Sequence, residues 1–283
     1  MDFAAIRRTI VIAMFSDDEL FDRFVLKGGN ALELVHQIID RGSLDIDLSM
    51  QEDFEDLEDT QIRIFRALKD RFDSVGFVVF DESFDRRPKE LGPNKPENWG
   101  GYVVQFKLIS KGRAAELNHD VNKMRREAHP LGDNPKRVFK IDISKHEFCE
   151  TKTEAELDGF TVFVYTPEMC VFEKLRAICQ QMPDYQATKG RGRARDFFDI
   201  YTTIEKCNID VTAPKNLDLC RSVFSAKDVP TSLIASIPET REFHRPSWAG
   251  VEDSIVGKAR PFDDYFYFVS NVIVRKLKSL WEK

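Results

Sequence analysis

The sequence predicts an α+β fold, with a mixed-sheet domain over residues 1–165 followed by a mainly helical region over residues 166–283 that contributes to the same functional site. Three observations lead there. Runs rich in β-branched and aromatic residues fall before Thr166-Pro167. Segments with apolar residues at helical spacing lie between them, and beyond Pro167 helical spacing takes over while strand-like runs become scarce.

In chain order, Phe3–Phe15 carries Ile6, Ile10, Ala13 and Met14 at helical spacing, and Ser16-Asp17-Asp18-Glu19 reads as a second helix start with an acidic first turn. Phe24-Val25-Leu26 is a short apolar strand entering the Gly28-Gly29 turn. From Asn30, the residues Ala31, Leu32, Leu34, Val35, Ile38 and Ile39 mark an amphipathic helix, closed by Arg41-Gly42-Ser43. Asp45–Leu48 alternates acidic and apolar residues with the period of a strand.

Asp56–Phe72 is a charged amphipathic helix. Phe77–Phe80, Tyr102–Leu108, Val138–Ile143 and Phe160–Val164 are strands, and the proline-containing stretch Arg86–Gly101 is a loop. Met169–Met182 has a proline just upstream, where a helix tolerates it best. Ala194–Ile204 and Asp263–Trp281 complete the predicted helices.

The chain has 283 residues and is 42% hydrophobic, enough for a sizeable core, and most of its 23 phenylalanines fall on apolar faces. It shows neither the roughly eighteen-residue apolar run of a membrane helix nor a basic-then-apolar leader, so a soluble cytoplasmic protein without a membrane partner is expected. The five cysteines are odd in number, scattered and without a C-x-x-C pair, which favours buried free thiols over disulfides or zinc. A net charge of −6 argues against an overall nucleic-acid coat. Locally, however, Lys189, Arg191, Arg193 and Arg195 crowd a glycine-punctuated stretch that reads as a mobile RNA-contacting loop, and Lys123, Arg125, Arg126, Lys136 and Arg137 form a second basic patch.

The chemistry concentrates in Lys27-Gly28-Gly29 and Ser43-Leu44-Asp45-Ile46-Asp47-Leu48. Glycines opening a helix let backbone N–H groups approach phosphates closely. Lys27 and the Ser43 hydroxyl can add to that cradle. Asp45 and Asp47, two apart on a strand, project to one face and can share a divalent cation such as Mg²⁺ or Mn²⁺, which takes one or two carboxylates together with substrate phosphates. Asp142, flanked by Ile141 and Ile143, supplies a third acid. It can complete the metal site, act as general base, or merely pair with Lys140 or Lys145.

This order of elements resembles the nucleotidyltransferase superfamily. More closely, Lys27-Gly28-Gly29-Asn30-Ala31-Leu32, Arg41–Asp47, Glu173-Lys174-Leu175 and Arg195-Asp196-Phe197-Phe198-Asp199 resemble the AbiEii/AbiGii toxin family, which includes the MenT toxins, over residues 20–205. The resemblance implies a nucleotidyltransferase-fold domain that transfers a nucleoside monophosphate from an NTP, with Mg²⁺, in a bacterial toxin or phage-defence system held in check by a cognate antitoxin. It implies an RNA acceptor, the tRNA 3′ end in characterised members, and a block on translation.

Carried over residue by residue, Ser43, Asp45 and Asp47 match the acidic motif, Lys174 the lysine motif, and Asp196 and Asp199 the D-x-x-D motif. Lys174 offers a point charge to the triphosphate, whereas the two acids, on one helix face, can orient Lys174, position base or sugar, or bind the acceptor. Asp199 can equally be a helix-packing acid. Rival readings are transfer to a protein hydroxyl, a kinase-like toxin, and a nucleotide-binding module without catalysis.

Overall fold

The structure, a computed structural model, describes residues 1–40, 43, 45–90, 98–132, 136–185 and 190–282. Helix α1 (Phe3–Met14) is capped by the Asp2 carboxylate, and α2 (Asp18–Arg23) by Asp17, which accepts from the N–H groups of Glu19 and Leu20. Strand β1 (Val25–Lys27) runs directly into α3 (Gly28–Asn30), which continues as a wider π turn over Ala31–Val35. This helix is shorter than its apolar pattern predicts. His36 bonds the Tyr165 carbonyl at 2.7 Å and Gln37 adopts φ 55°, so Ile38 and Ile39 are buried but outside the helix. Arg41, Gly42 and Leu44, part of the predicted turn into the next strand, lie outside the described residues.

Strand β2 (Ile46–Ser49) is followed by α4 (Leu57–Ser74), capped by Asp56, and by the long hairpin of β3 (Phe77–Arg87) and β4 (Gly101–Ser110). β3 extends past its apolar run because a bulge at Asp81 resets the register before pairing resumes at Ser83. Asp81 takes Lys107 and Arg125, so part of the second basic patch is neutralised at the sheet edge. Helices α5 (Lys111–Glu116) and α6 (Val121–Glu127) pack there over a small separate core of Phe80, Ile109, Ala114, Met124 and Ala128.

Strands β5 (Phe139–Ser144), β6 (Thr153–Leu157) and β7 (Phe160–Val164) complete a mixed sheet of order β3-β4-β5-β2-β1-β7-β6 among the described residues. The parallel pairs are β2 with β5 and β1 with β7. Every described strand precedes residue 165.

Thereafter come α7 (Pro167–Cys179), capped by Thr166 with proline in its first turn, α8 (Ala194–Cys207) and α9 (Pro214–Ser225). A 3₁₀ stretch over Thr231–Thr240 leads to the short helices α10 (Arg241–His244) and α11 (Ala249–Glu252). The last predicted helix is broken. α12 (Phe262–Tyr267) passes into a π turn over Phe268–Ile273, then α13 (Val274–Lys276) and a final 3₁₀ turn. No helix among the described residues is long and apolar enough to cross a membrane.

One hydrophobic core runs through both halves, with Phe24, Phe72, Phe106, Phe139, Phe172, Phe197, Phe224 and Phe266 fully buried, so these phenylalanines are packing residues rather than stacking platforms. Four of the cysteines are buried free thiols, whereas Cys207 is exposed at the end of α8.

Candidate active site

Sheet register brings the predicted acids together. Asp47 on β2 pairs with Asp142 on the parallel β5 and, on its other side, with Lys27 on the antiparallel β1. Lys27, Asp47 and Asp142 therefore form one row across three strands. Asp45 immediately precedes β2, and its side chain is 45% exposed. Its backbone is fixed by a relay absent from the sequence reading: the Asn30 amide and the Ser43 hydroxyl both donate to the Asp45 carbonyl, at 2.7 and 3.3 Å. Asn30 is itself held by Arg7, which pairs with Glu33.

Gly28 must be glycine. Its φ is +68°, and a Cβ there would lie 2.9 Å from Asp47 Oδ2. The start of α3 is thus pressed against the metal-ligand candidate.

Burial, reinforced by neighbouring Asp142 and Glu173 against the pull of Lys27 and Lys174, raises the Asp47 carboxyl to about 6. Such an acid row needs positive charge, and its all-oxygen donor set suits Mg²⁺ or Mn²⁺. Among the described residues, though, no group of three or more His, Cys, Asp or Glu side chains is arranged to hold an ion. Asp142 is turned instead onto Lys140 and onto Arg87, 3.2 Å away. The residues thus fit a metal held by carboxylates together with phosphate oxygens better than a preformed protein cage.

Lys27 is buried, contrary to the usual solvent-facing lysine at a strand end. It lies 3.4 Å from Glu147, which also binds Arg176 at 2.8 Å and approaches Lys227 at 4.0 Å. Burial opposes the Lys27 charge, but Glu147 and then Glu173 outweigh it and hold the ammonium above its ordinary range. The burial of Glu147 is likewise overcome, by Arg176, Lys27 and Lys227, so its carboxyl stays well below the usual carboxylate range. Lys227 is lowered to about 8 by burial and by the cations Arg176, Lys27 and Lys145, against Glu147. Glu147 and Lys227 have no motif to announce them, because their partners are distant in sequence.

The helical half supplies the facing wall. Lys174 on α7 is buried and lies 3.3 Å from Asp196 and 2.7 Å from Asp199, both on α8. The D-x-x-D pair thus grips the lysine. Arg193 adds a bond to Asp196 at 3.0 Å. Burial would raise the Asp196 carboxyl, yet Lys174 and Arg193 bring it down to about 2. Asp199 is completely buried behind Lys174, outside the cleft lining, which suits a structural partner.

The basic stretch is not a loose loop where it is described; Lys189 lies outside the described residues. The α8 N-terminus is capped from the C-terminal segment: the Arg193 N–H donates to His244 Nδ1 and the Ala194 N–H to Ser247 Oγ, both at 3.0 Å. The Arg191 N–H donates to Gln181 Oε1. Its glycines serve close approach, since a Cβ on Gly192 would lie 2.7 Å from Ser247 Oγ, and one on Gly190 2.9 Å from the Gln181 carbonyl. Neither His244 nor Ser247 was visible as a site residue in the sequence.

Most of the predicted site residues surround one cleft of about 920 Å³. Lys27, Gly28, Gly29, Ser43, Asp45, Asp47 and Asp142 line it from the sheet side, Lys174, Arg191, Arg193, Arg195 and Asp196 from the helical side. Its cations, which also include Arg87, Lys140, Arg176 and Lys227, outnumber its acids, although the chain as a whole is negative at −6. That local excess suits a polyanion.

The chain matches the family model described as "Nucleotidyl transferase AbiEii toxin, Type IV TA system" over residues 10–267, so the likeness includes the helical region beyond residue 205. No match was found among curated protein sequences. Among solved structures, a nucleotidyltransferase candidate from H. pylori superposes with TM-score 0.52 at 16% identity, covering 99% of this chain and 95% of that one, a likeness of fold. An antigenic nucleotidyltransferase-like protein from Paracoccidioides brasiliensis gives TM-score 0.40 at 12% identity, covering 89% and 94%. With the family model spanning nearly its whole length, the chain belongs to the AbiEii nucleotidyl transferase toxin family of type IV toxin–antitoxin systems.

Proposed function

We propose that this protein is a toxin that transfers a nucleoside monophosphate from an NTP to a hydroxyl of an RNA acceptor, the tRNA 3′ end being the acceptor to which the family resemblance points, thereby blocking translation until a cognate antitoxin intervenes. The observation that carries the reading is the row of Lys27, Asp47 and Asp142 in one register, beside a glycine-opened helix and facing Lys174 across a cationic cleft.

In this reading Gly28, Gly29, Ser43 and Lys27 hold the donor phosphates, and Asp45 and Asp47, completed by Asp142, hold Mg²⁺ or Mn²⁺. Bound there, the ion would neutralise phosphate charge and fix the geometry of the α-phosphorus. The acceptor oxygen attacks that phosphorus in line, the bond to the bridging oxygen breaks, and pyrophosphate leaves. In this reading Asp142, besides or instead of completing the metal site, would take the proton of the acceptor hydroxyl, and Lys174 would offer positive charge to the departing pyrophosphate. Arg191, Arg193 and Arg195 contact the acceptor backbone, which positions it without reading its sequence.

The test incubates the protein with total RNA and, in parallel, α-labelled and γ-labelled forms of each NTP. Label should pass to RNA from the α position alone, and Asp45→Ala and Asp47→Asn should abolish it. Transfer of γ label would indicate a kinase, and label on protein would replace the RNA acceptor. Absence of any transfer or pyrophosphate release would leave a binding module.

A further inference from the structure

The acidic row carries a cation of its own. Lys140 and Asp142 stand at i and i+2 on β5, so both side chains leave the same face of the sheet. The Lys140 ammonium lies against the Asp142 carboxylate and reaches to 3.7 Å from Asp45 Oδ2. Asp45 lies just before β2 and Asp142 on β5, and the ammonium between them links the two acids. It sits in the cleft, its side chain only 19% exposed. Arg87 holds the other oxygen of Asp142 from a far more solvated position, its side chain 60% exposed.

We propose that Lys140 is a built-in counter-cation: it occupies the position between Asp45 and Asp142 that a divalent ion would take, and yields it when metal and nucleotide arrive together. This rests on the nucleotidyltransferase reading of the cleft. Two cations cannot share that position, so a divalent ion arriving alone must displace the ammonium from the two carboxylates that hold it. An ion arriving with a triphosphate brings new acceptor oxygens for it. A lysine suits exchange because its single ammonium on a flexible stem releases one carboxylate and finds another anion without a fixed fork geometry. The same contact accounts for Asp142 being turned away from a protein-only cage. Metal and donor then bind cooperatively, which keeps the site from filling with free divalent ions.

The test measures Mn²⁺ binding to the full-length protein from the paramagnetic resonance signal of the free ion, without nucleotide. A unit charge about 4 Å away is worth about 1 kcal/mol even in water, so Lys140→Met should bind Mn²⁺ at least about fivefold more tightly than wild type. Lys140→Arg should stay close to wild type, and adding Asp45→Asn to Lys140→Met should abolish the gain. Calorimetric titration of Mn²⁺ with an equimolar mixture of the four α,β-methylene NTPs should show a smaller enhancement of metal binding by nucleotide in Lys140→Met. Unchanged or weaker Mn²⁺ binding by a cooperatively melting Lys140→Met protein overturns the assignment; Lys140→Gln makes the same measurement should the methionine variant fail to fold. If wild type binds no Mn²⁺ with or without the triphosphates, the nucleotidyltransferase reading fails first. If wild type binds and Lys140→Met matches it, only the role of Lys140 fails.

Discussion

Asp47 and Asp142 stand opposite each other on neighbouring parallel strands, β2 and β5, and this pairing turns two distant parts of the sequence into one acidic surface. Strand periodicity predicts which face each carboxylate takes, but not which strands are neighbours. Register adds Lys27 on the far side of Asp47 and leaves Asp45 one step before the strand, more exposed and tied by its carbonyl to Asn30 and Ser43. The site thus combines a rigid member, Asp47, with an outer one, Asp45, whose carboxylate is freer to adjust to a substrate.

Gly28→Ala is expected to damage both stability and transfer. The left-handed φ of +68° costs an L-residue about 1–2 kcal/mol, and the new methyl would meet Asp47 Oδ2 at 2.9 Å. Displacing that carboxylate by a fraction of an ångström to an ångström should lower the transfer rate on the order of a hundredfold. Melting curves together with label transfer check both effects. Full activity in a folded variant would show that the Asp47 position is not set by the Gly28 contact.

Much of this site was legible in the sequence because its residues act through short spacings. The glycine pair opens a helix, Asp45 and Asp47 are two apart, and Asp196 and Asp199 share the helix face that grips Lys174. The elements that escaped lack such a signal. β6 reads Thr-Glu-Ala-Glu-Leu, polar enough for a loop, and becomes a strand only by pairing with β7 at the sheet edge. The helical spacing of Asp263–Trp281 is real, but π and 3₁₀ turns divide it. Glu147 meets Lys27, and His244 meets Arg193, across long sequence separations. No local pattern can mark a residue whose meaning depends on a partner that distant.

Lys174→Met should destabilise the fold as well as silence the enzyme. It removes the ammonium from Asp196, 6% exposed, and from Asp199, completely buried. Breaking a buried ion pair in this way typically costs about 3–5 kcal/mol. The Lys174→Met/Asp199→Asn double variant should recover part of that stability without recovering transfer, because Asp199 lies behind the lysine rather than in the cleft. Denaturant unfolding of the double-mutant cycle checks the first statement and single-turnover transfer the second. Restored transfer in the double variant would remove Lys174 from the chemistry.

His244 should make the protein acid-sensitive. Burial, with Arg193 adding to it and Asp196 opposing, lowers the imidazole from its ordinary 6.5 to about 4. The ring is fully buried between Phe197 and Phe243, and its neutral Nδ1 accepts the Arg193 N–H that anchors the arginine-bearing entry to α8. Between those two values the unfolded chain holds the proton and the native one does not, so stability falls as pH drops from 6.5 toward 4, by about 3 kcal/mol in all, and is fully present above 6.5. Once protonated, Nδ1 no longer accepts from Arg193, and the capped start of α8 loosens together with the Arg193 contact to Asp196. His244→Asn places an amide oxygen near the Nδ1 position without a titrating group. It should therefore flatten the fall in stability across this window while retaining transfer at neutral pH. Denaturant melts at half-unit pH steps decide the matter, and an equally steep fall in His244→Asn would assign the acid sensitivity to other groups.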